Sequence, residues 1–384
     1  MTAARGDEAV TGTWTTAYLS ALASADDALP FFPPPRRFAG QTVRQRVRLG
    51  RGGNQARLVL SNQFGREPLV IDAVMVSNGG LLSTTPALYR GAGKWEIPVG
   101  ATAVSDPIPL PATAGGELVV DCFVSGSTEA ATFLPSAQQT GEVGVGDQLG
   151  RRRLADAERF TALYWIARML VDRPASGPVI VALGDSITRG DGTTADLDQR
   201  YPDHLQRRLH AAGIDGAVVL NAGIGGNRLL RPVVGPSMTD RFDRDVLGVA
   251  EASHVLILAG TNDIALPSML GQQRPAADEI IEGLRALARR AVGAGLQPVL
   301  GTISPFGGSS MDAFLADGNE AVRRAVNDAV TGQTDWPTVD FAAALADPDD
   351  RSRLAAAFDS GDGVHPGDSG SRALAAAVDL AIFK

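Results

Sequence analysis

The sequence predicts two domains of different fold class. Residues 1–172 are predicted to form an all-β sandwich or jelly-roll domain, and residues 173–384 a three-layer, flavodoxin-like α/β/α domain with a parallel sheet. Short apolar segments with period-two alternation, separated by turn residues, fill the first part, whereas continuous apolar runs alternate with amphipathic helices in the second. The stretch 171–178 between them is rich in proline and small residues, as inter-domain linkers are.

The clearest strand of the first domain is Thr42–Leu49. Val43 and Val47 fall on one face and arginines on the other, which is the pattern of a half-buried strand. Because the turn-like segment Gly50–Asn54 separates this strand from the apolar run Arg57–Leu60, the pair predicts a hairpin. Two further strands are predicted at Leu69–Val76 and Glu117–Val124. One short helical segment is predicted at Tyr18–Ser24.

In the second domain, each predicted strand is a continuous apolar run, typical of a strand buried on both faces. An amphipathic helix follows each run, most clearly over residues 276–294, and a final helix is predicted over residues 369–382. This alternation indicates a doubly wound parallel sheet between two layers of helices. The four runs are Val179–Leu183, Ala217–Leu220, Val255–Ala259 and Pro298–Ile303.

The composition is that of an ordinary globular protein. The 384 residues carry a formal net charge of −8, which argues against nucleic acid or an anionic membrane as a partner. Without a membrane-span pattern or a secretory signal after Met1, the expected location is the cytoplasm, with a processed, secreted form as the alternative. The single cysteine, Cys122, is interpreted as a buried, inert thiol. Nothing in the sequence predicts an oligomeric state.

Function in such a sheet collects at the carboxyl ends of the strands. Gly184, Asp185 and Ser186 follow the first strand directly. Gly184 permits a sharp exit from the strand, so that Ser186 would be presented at the rim of the sheet as a candidate nucleophile. Because all three residue types are also common in turns, this segment does not establish a nucleophile by itself.

The segments after the second and third strands could donate hydrogen bonds to an oxyanion. Asn221–Arg228 contains three glycines with accessible backbone N–H groups, although a phosphate loop or a simple turn is the alternative. Asn262, within Gly260–Asp263, offers an amide that donates without titrating, with a helix cap or Asx-turn as the alternative. Arg228 could meet a substrate carboxylate, but surface pairing is the simpler interpretation.

Asp362 and His365 lie three residues apart on a turn before the final helix. The carboxylate could fix the tautomer of the imidazole and stabilise its protonated form, leaving the second ring nitrogen to take a proton from Ser186. Each segment is ambiguous alone. Together they supply a nucleophile, a base, an orienting carboxylate and oxyanion donors at one edge of a sheet, which predicts an enzyme.

In this order the four segments resemble the four sequence blocks of the SGNH (GDSL-type) hydrolases: Gly-Asp-Ser, a glycine block, Gly-x-Asn-Asp and Asp-x-x-His. The resemblance implies an SGNH hydrolase catalytic domain over the second half of the chain. It implies Ser186 as nucleophile, with Asp362 and His365 as its acid and base. It also implies an oxyanion hole made by Ser186, Gly226 and Asn262.

Gly223 is the alternative to Gly226 as the donor from the glycine block. The N-terminal segments Gly12–Trp14, Gln41–Gln45 and Leu60–Gly65 resemble bacterial two-domain members of the same family, which carry a β-sandwich before the hydrolase. This second resemblance says little about the substrate.

The remaining polar candidates are interpreted as structural. His204, His210 and His254 lack metal-ligand spacing, so neither a metal nor another cofactor is expected. Asp185 and Asp263 are expected to hold turns through hydrogen bonds.

The predicted function is hydrolysis of short-acyl carboxylic esters through an acyl-enzyme on Ser186, with a small-molecule or saccharide ester as substrate. A carbohydrate O-deacetylase, a thioesterase and a lysophospholipase are alternatives on the same fold. A glycan-binding protein whose hydrolase domain is only a scaffold is the alternative of another class.

Overall fold

The computed structural model describes residues 14–27, 36–79 and 84–384. The chain divides into two compact units, residues 1–175 and 176–384. Of the segment Gly12–Trp14, only Trp14 lies within the described residues. In this described part of the chain, no helix combines the length and apolar character needed to cross a bilayer.

The first unit is a β-sandwich, and all the strand pairs among its described residues are antiparallel. A 3-10 helix, Ala25–Asp27, follows the second strand. The strands are β1 Thr15–Leu19, β2 Ala23–Ser24, β3 Arg37–Phe38, β4 Gln41–Arg48, β5 Ala56–Ser61, β6 Leu69–Ile71, β7 Ala73–Asn78, β8 Thr84–Pro86, β9 Trp95–Ile97, β10 Thr102–Val104, β11 Glu117–Val124, β12 Thr128–Glu129, β13 Thr132–Leu134, β14 Gly141–Val145, β15 Glu158–Phe160, β16 Leu163–Tyr164 and β17 Ile166–Val171.

Two larger sheets dominate this unit. One has the order β1-β17-β5-β10, and the other has the order β15-β14-β4-β11-β7-β8. In the second sheet, β4 and β11 pair along eight residues, with Val43 opposite Cys122 and Val47 opposite Leu118. All four side chains are buried, so one face of this pair contributes to the hydrophobic core.

The hairpin predicted from Thr42–Leu49 and Arg57–Leu60 is wrong. β4 pairs with β11 and β14, whereas β5 pairs with β17 and β10 in the other sheet. The segment Gly50–Asn54 therefore connects two sheets and does not close a two-stranded ribbon. The predicted strand Leu69–Val76 is likewise divided into β6 and β7, which pair with β9 and β11. Long-range partners, which local turn signals do not encode, decide both cases.

Two further expectations for this unit need correction. Tyr18–Ser24 is not helical, because the first part of this segment pairs with β17 as β1, and the second pairs with β13 as β2. The arginine face of β4 is not uniformly exposed, since Arg44 is 1% exposed and forms an ion pair with Asp121. Cys122 is fully buried as predicted, and burial raises the pKa of its thiol far above the usual value.

The second unit contains the predicted parallel sheet, in the order β19-β18-β20-β21-β22, which is flavodoxin-like. Its four long strands lie within a few residues of the predicted runs. The fifth, β22, has only two residues, too few to give a sequence pattern. The strands are β18 Val179–Gly184, β19 Val218–Gly223, β20 His254–Leu258, β21 Gln297–Gly301 and β22 Thr338–Val339.

The helices of this unit follow the strands as predicted. The helix predicted over residues 276–294 is α5, and the final helix is shorter than predicted because the backbone becomes extended at Val378. A π-helical turn, Asp243–Leu247, follows α3, and a 3-10 helix, Leu380–Phe383, follows α9. The α-helices are α1 Ser186–Arg189, α2 Tyr201–Ala211, α3 Met238–Phe242, α4 Thr261–Met269, α5 Ala277–Gly293, α6 Asp312–Leu315, α7 Asn319–Gly332, α8 Phe341–Leu345 and α9 Asp368–Ala377.

The register of the sheet places the ends of three strands side by side. Gly184 at the end of β18 is opposite Gly223 of β19 and Leu258 of β20. The segments that leave these strands therefore start from one edge of the sheet. This is the edge at which doubly wound folds bind their ligands.

Candidate active site

A sharp turn at the end of β18 presents Ser186. A Cβ atom on Gly184 would lie 2.0 Å from Oγ1 of Thr188 and 2.9 Å from the carbonyl oxygen of Leu258, so only glycine fits there. Asp185 then caps α1, because its Oδ1 accepts a hydrogen bond from the Ile187 N–H at 3.0 Å. Ser186 is the first residue of the helix and is 9% exposed.

Ser186, His365 and Asp362 are joined by hydrogen bonds into a continuous chain. His365 Nδ1 lies 2.6 Å from Oδ2 of Asp362, and Nε2 lies 2.8 Å from Oγ of Ser186. The carboxylate accepts the Nδ1–H, which leaves Nε2 as the acceptor for the serine hydroxyl. Asp362 Oδ1 also accepts from the backbone N–H groups of His365 and Val364, at 2.8 and 2.9 Å, so the carboxylate is fixed on the turn.

The pKa shifts of Asp362 and His365 match the geometry of these hydrogen bonds. Burial would raise the pKa of Asp362, but the hydrogen bonds and charge of His365 outweigh burial and hold that pKa well below its usual range. Burial would lower the pKa of His365, but the hydrogen bond to Asp362 and the charges of Asp191, Asp362 and Asp185 raise it. Asp362 is therefore ionised, as an orienting carboxylate must be.

Two backbone donors beside Ser186 are free among the described residues. The N–H groups of Ser186 and Gly226 donate to no acceptor there, and Gly226 has a positive φ of 72°. The N–H of Gly223 instead donates to Oδ1 of Asn221 at 2.9 Å. This difference favours Gly226 over Gly223 as an oxyanion donor.

The Asn262 side chain, in the first turn of α4, lies at the same edge. Its Nδ2 donates to the carbonyl oxygen of Asn227 at 3.0 Å and lies 3.4 Å from Oδ2 of Asp185. One amide hydrogen is thus held by the glycine loop, and the other is donated at long range to the Asp185 carboxylate, on the turn that carries Ser186.

Sequence reasoning missed Arg241, a fully buried arginine in α3. Its guanidinium donates at 2.8 Å to the carbonyl oxygens of Gly184 and Ala222, and at 2.9 Å to Oδ1 of Asn227. It also forms an ion pair with Asp245 at 2.8 Å. Arg241 therefore ties together the end of β18, the end of β19 and the glycine loop. Its sequence context, an Arg–Asp pair four residues apart, is common on ordinary helices and gives no signal.

The two aspartates beside the motif residues hold loops, as expected. Asp185 caps α1, and Asp263 accepts from the N–H groups of Leu229 and Leu230 at 2.7 and 3.0 Å. Burial is the main cause that raises the pKa of each carboxyl to about 6. The interpretation of Arg228 as a surface residue is wrong, since it is 3% exposed and its guanidinium binds Gln272 and nearby carbonyl oxygens of its own loop.

The other histidines have structural partners. His204 lies 2.9 Å from Arg207, His210 lies 2.8 Å from Gln206, and His254 Nε2 lies 3.2 Å from the carbonyl oxygen of Ile382. Over residues 14–27, 36–79 and 84–384, no three His, Cys, Asp or Glu side chains group in a way that could hold a metal ion.

A parallel α/β sheet with a hydrogen-bonded Ser–His–Asp chain at the carboxyl ends of its strands defines a serine hydrolase. The model of the GDSL-like lipase/acylhydrolase family matches residues 182–373, which is half of the chain. The chain belongs to this family and is a serine ester hydrolase. No curated protein matches the chain.

The solved structures to which the chain is similar include a lipase and an esterase. A GDSL-like lipase from Bacteroides thetaiotaomicron is 19% identical, with a TM-score of 0.41, over 53% of this chain and 87% of that one. An acetylxylan esterase from Geobacillus stearothermophilus is 24% identical, with a TM-score of 0.41, over 54% of this chain and 94% of that one.

Proposed function

We propose that the chain hydrolyses short-acyl carboxylic esters through an acyl-enzyme formed on Ser186. The observation that carries this proposal is the unbroken hydrogen-bonded chain from Asp362 through His365 to Oγ of Ser186, with distances of 2.6 and 2.8 Å. Both lie in the range that proton transfer between a base and a nucleophile requires. The short acyl chain is a further part of the proposal, which a series of esters of increasing acyl length tests.

In the first half of the reaction, Oγ of Ser186 attacks the ester carbonyl carbon while Nε2 of His365 accepts the hydroxyl proton. The tetrahedral intermediate collapses, the bond to the alcohol oxygen breaks, and His365 returns the proton to the leaving alcohol. In the second half, water attacks the acyl-enzyme, His365 accepts and returns its proton, and the carboxylic acid leaves with Ser186 restored.

Asp362 stabilises the imidazolium that forms in each half-reaction without itself taking a proton. Its depressed pKa is consistent with this role, because a carboxyl that stays ionised can keep the Nδ1–H oriented throughout. The oxyanion is proposed to receive hydrogen bonds from the Ser186 N–H, the Gly226 N–H and the Asn262 amide.

Arg241 is proposed as a positioning residue for these donors. It holds the carbonyl oxygens of Gly184 and Ala222 and the side chain of Asn227, whose own carbonyl oxygen accepts from Asn262. Through these contacts, one buried guanidinium fixes the strand end beside Ser186 and the loop that carries Gly226. Arg241 acts on the donors through these backbone contacts.

The test is hydrolysis of p-nitrophenyl acetate, butyrate and octanoate by the wild type and by Ser186→Ala. We expect turnover that falls with acyl length and is lost in the variant, at least about 10³-fold in kcat. Ser371→Ala is the matched control, because its hydroxyl is also buried but has no hydrogen-bond partner in the described part of the chain. If Ser186→Ala kept more than a few per cent of the activity, Ser186 would not be the nucleophile.

A further inference from the structure

A cavity of about 540 Å³ in the first unit is lined mainly by arginines. Arg46, Arg152, Arg153 and Arg159 surround it together with one carboxylate, Glu142. Its volume lies within the range of about 300–1,000 Å³ that small-molecule sites occupy. All of its lining residues belong to the β-sandwich, so the motifs of the hydrolase do not explain it.

The floor of this cavity is the polar face of the six-stranded sheet. Arg44 and Arg46 are two residues apart on β4 and therefore share a face. Glu142 of β14 is opposite Arg44, and Arg159 of β15 is opposite Glu142. The register thus brings Arg46, Glu142 and Arg159 onto one face.

The wall of the cavity is the loop that carries Arg152 and Arg153, and a buried charge fastens this loop to the sheet. The guanidinium of Arg44 binds both carboxylate oxygens of Asp121 at 2.7 Å. Its remaining donors reach the carbonyl oxygens of Arg151 and Arg152, at 2.6 and 3.3 Å. Because Arg44 is 1% exposed and held on two sides, the loop backbone is fixed and the concave surface is built into the fold.

The guanidinium groups around the cavity are poorly neutralised. Among the described residues, Arg152, Arg153 and Arg159 form no ion pair. Arg46 pairs with Glu117 at 3.1 Å and lies 3.8 Å from Glu142. In a protein with a net charge of −8, this concentration of unpaired positive charge in one concave surface favours an anionic ligand.

We propose that this cavity binds a saccharide that carries carboxylate groups, such as a segment of a uronic acid polymer. The planar guanidinium groups of Arg152, Arg153 and Arg159 can each grip a carboxylate through two parallel hydrogen bonds. Glu142 supplies an acceptor for the hydroxyl groups of a sugar. A small inorganic anion has no sugar hydroxyl groups to donate there, and the negative charge of Glu142 would repel it. The combination of donors for a carboxylate and an acceptor for hydroxyls selects an acidic sugar, and this inference does not depend on the proposed hydrolytic function.

The experiment is isothermal titration calorimetry of the full chain with trigalacturonic acid. The neutral trisaccharide maltotriose and inorganic phosphate serve as comparison ligands. We expect trigalacturonic acid to bind with an affinity that weakens as salt is raised, because the contacts are exposed charge pairs. Maltotriose and phosphate are expected to bind at least about tenfold more weakly.

Two variants locate the site, and one controls for net charge. Arg152→Gln/Arg153→Gln is expected to weaken trigalacturonic acid binding at least about tenfold. Arg285→Gln/Arg372→Gln removes the same charge at two exposed helical positions and is expected to leave the affinity for trigalacturonic acid unchanged. Glu142→Gln is expected to weaken binding of the acidic sugar and to strengthen binding of phosphate.

Hydrolysis of p-nitrophenyl acetate should stay at the wild-type rate in all three variants, and an unchanged circular dichroism spectrum and thermal unfolding transition would show that the β-sandwich of each is folded. Equal binding of the acidic and neutral trisaccharides would overturn the proposal. An equal loss of affinity in the control variant would show that net charge alone causes the effect, and it would overturn the assignment of binding to this cavity. Phosphate binding as tight as that of trigalacturonic acid would overturn the assignment to a saccharide.

Discussion

Each unit of the chain contains a buried arginine–aspartate pair, and the two pairs are used differently. In the β-sandwich, Arg44 binds Asp121, and in the hydrolase unit, Arg241 binds Asp245. All four side chains are at most 4% exposed. Each guanidinium also donates to backbone carbonyl oxygens, in a surface loop for Arg44 and at two strand ends for Arg241.

A buried ion pair is seldom a net gain in stability, because removing two charges from water offsets their attraction. The carbonyl oxygens that each arginine also binds indicate why these two pairs exist. Arg44 fixes a loop over a sheet, whereas Arg241 holds the strand ends and the glycine loop beside Ser186, from which the proposed oxyanion donors project. The same kind of ion pair therefore holds a loop in one unit, and in the other we propose that it positions the catalytic residues.

The largest effect on stability is expected from Arg44→Met. Asp121 has no second cationic partner among the described residues, so the variant leaves a buried carboxylate uncompensated. The free energy of unfolding should fall by about 3–5 kcal/mol. Denaturant unfolding followed by tryptophan fluorescence measures this, since Trp95 and Trp165 are buried in the same unit. The kcat for p-nitrophenyl acetate, measured below the unfolding transition, should be unchanged.

The control is Arg44→Met/Asp121→Leu, which replaces both charges by apolar groups. It should recover most of the lost stability, because no charge is left buried. A double variant as unstable as the single one would mean that the loop contacts of Arg44, and not the unpaired Asp121, dominate its contribution.

For Arg241→Met, the largest effect is expected on catalysis. Asp245 keeps a second partner in Arg244, at 2.6 and 2.8 Å, so its charge remains compensated. The carbonyl oxygens of Gly184 and Ala222 lose the hydrogen bonds of the guanidinium, and the proposed oxyanion donors lose this support. The kcat for p-nitrophenyl acetate should fall about 10²–10³-fold, as for the loss of one oxyanion donor, with little change in KM.

Arg244→Met is the matched control, because it removes the other partner of Asp245 without touching the two strand ends. Its kcat should stay within about twofold of the wild type. If both variants lost activity equally, the charge of Asp245 would matter and the backbone contacts of Arg241 would not.

A smaller effect is expected when a left-handed glycine is replaced in each unit. Gly226 and Gly146 have φ angles of 72° and 82°. Alanine at either position should cost about 1–2 kcal/mol of stability through backbone strain. Only Gly226→Ala should also lower kcat, by about tenfold, because strain there redirects a proposed oxyanion donor. Equal kcat values for the two variants would argue against Gly226 as an oxyanion donor and in favour of Gly223.

The sequence predicts the hydrolase unit better than the β-sandwich for a physical reason. Parallel strands with intervening helices are ordered by local alternation, so the runs near Val179 and Val255 could be recognised without knowledge of their partners. Antiparallel sandwiches are ordered by long-range pairing. The separation of β4 and β5 into two sheets depends on β11 and β17, which lie far along the chain.

The candidate site likewise contains residues that the sequence predicts and a residue that it does not. Ser186, Asn262, Asp362 and His365 occupy short motifs, and their convergence follows once the sheet is parallel. Arg241 has no motif, because its role arises from three acceptors that are distant in sequence and meet only in the folded chain. The burial of Arg44 within an apparently exposed face has the same origin, since Asp121 is supplied by another strand.

The smallest effect is expected from a charge pair at the edge of the active site. Asp191 pairs with Arg189 at 2.5 Å, and its charge helps to raise the pKa of His365. Because protonated His365 cannot accept the Ser186 proton, kcat/KM should fall as the pH falls through this raised pKa. Asp191→Asn removes one negative charge, so the midpoint of the acid limb should move to lower pH, by less than about one unit. The plateau rate should be unchanged, because the 2.6 Å contact between His365 and Asp362 remains.

The pH profile of p-nitrophenyl acetate hydrolysis measures the shift, with Asp347→Asn as a control of equal charge. A midpoint that moved to higher pH would contradict the sign of this coupling and place the acid limb on a group other than His365.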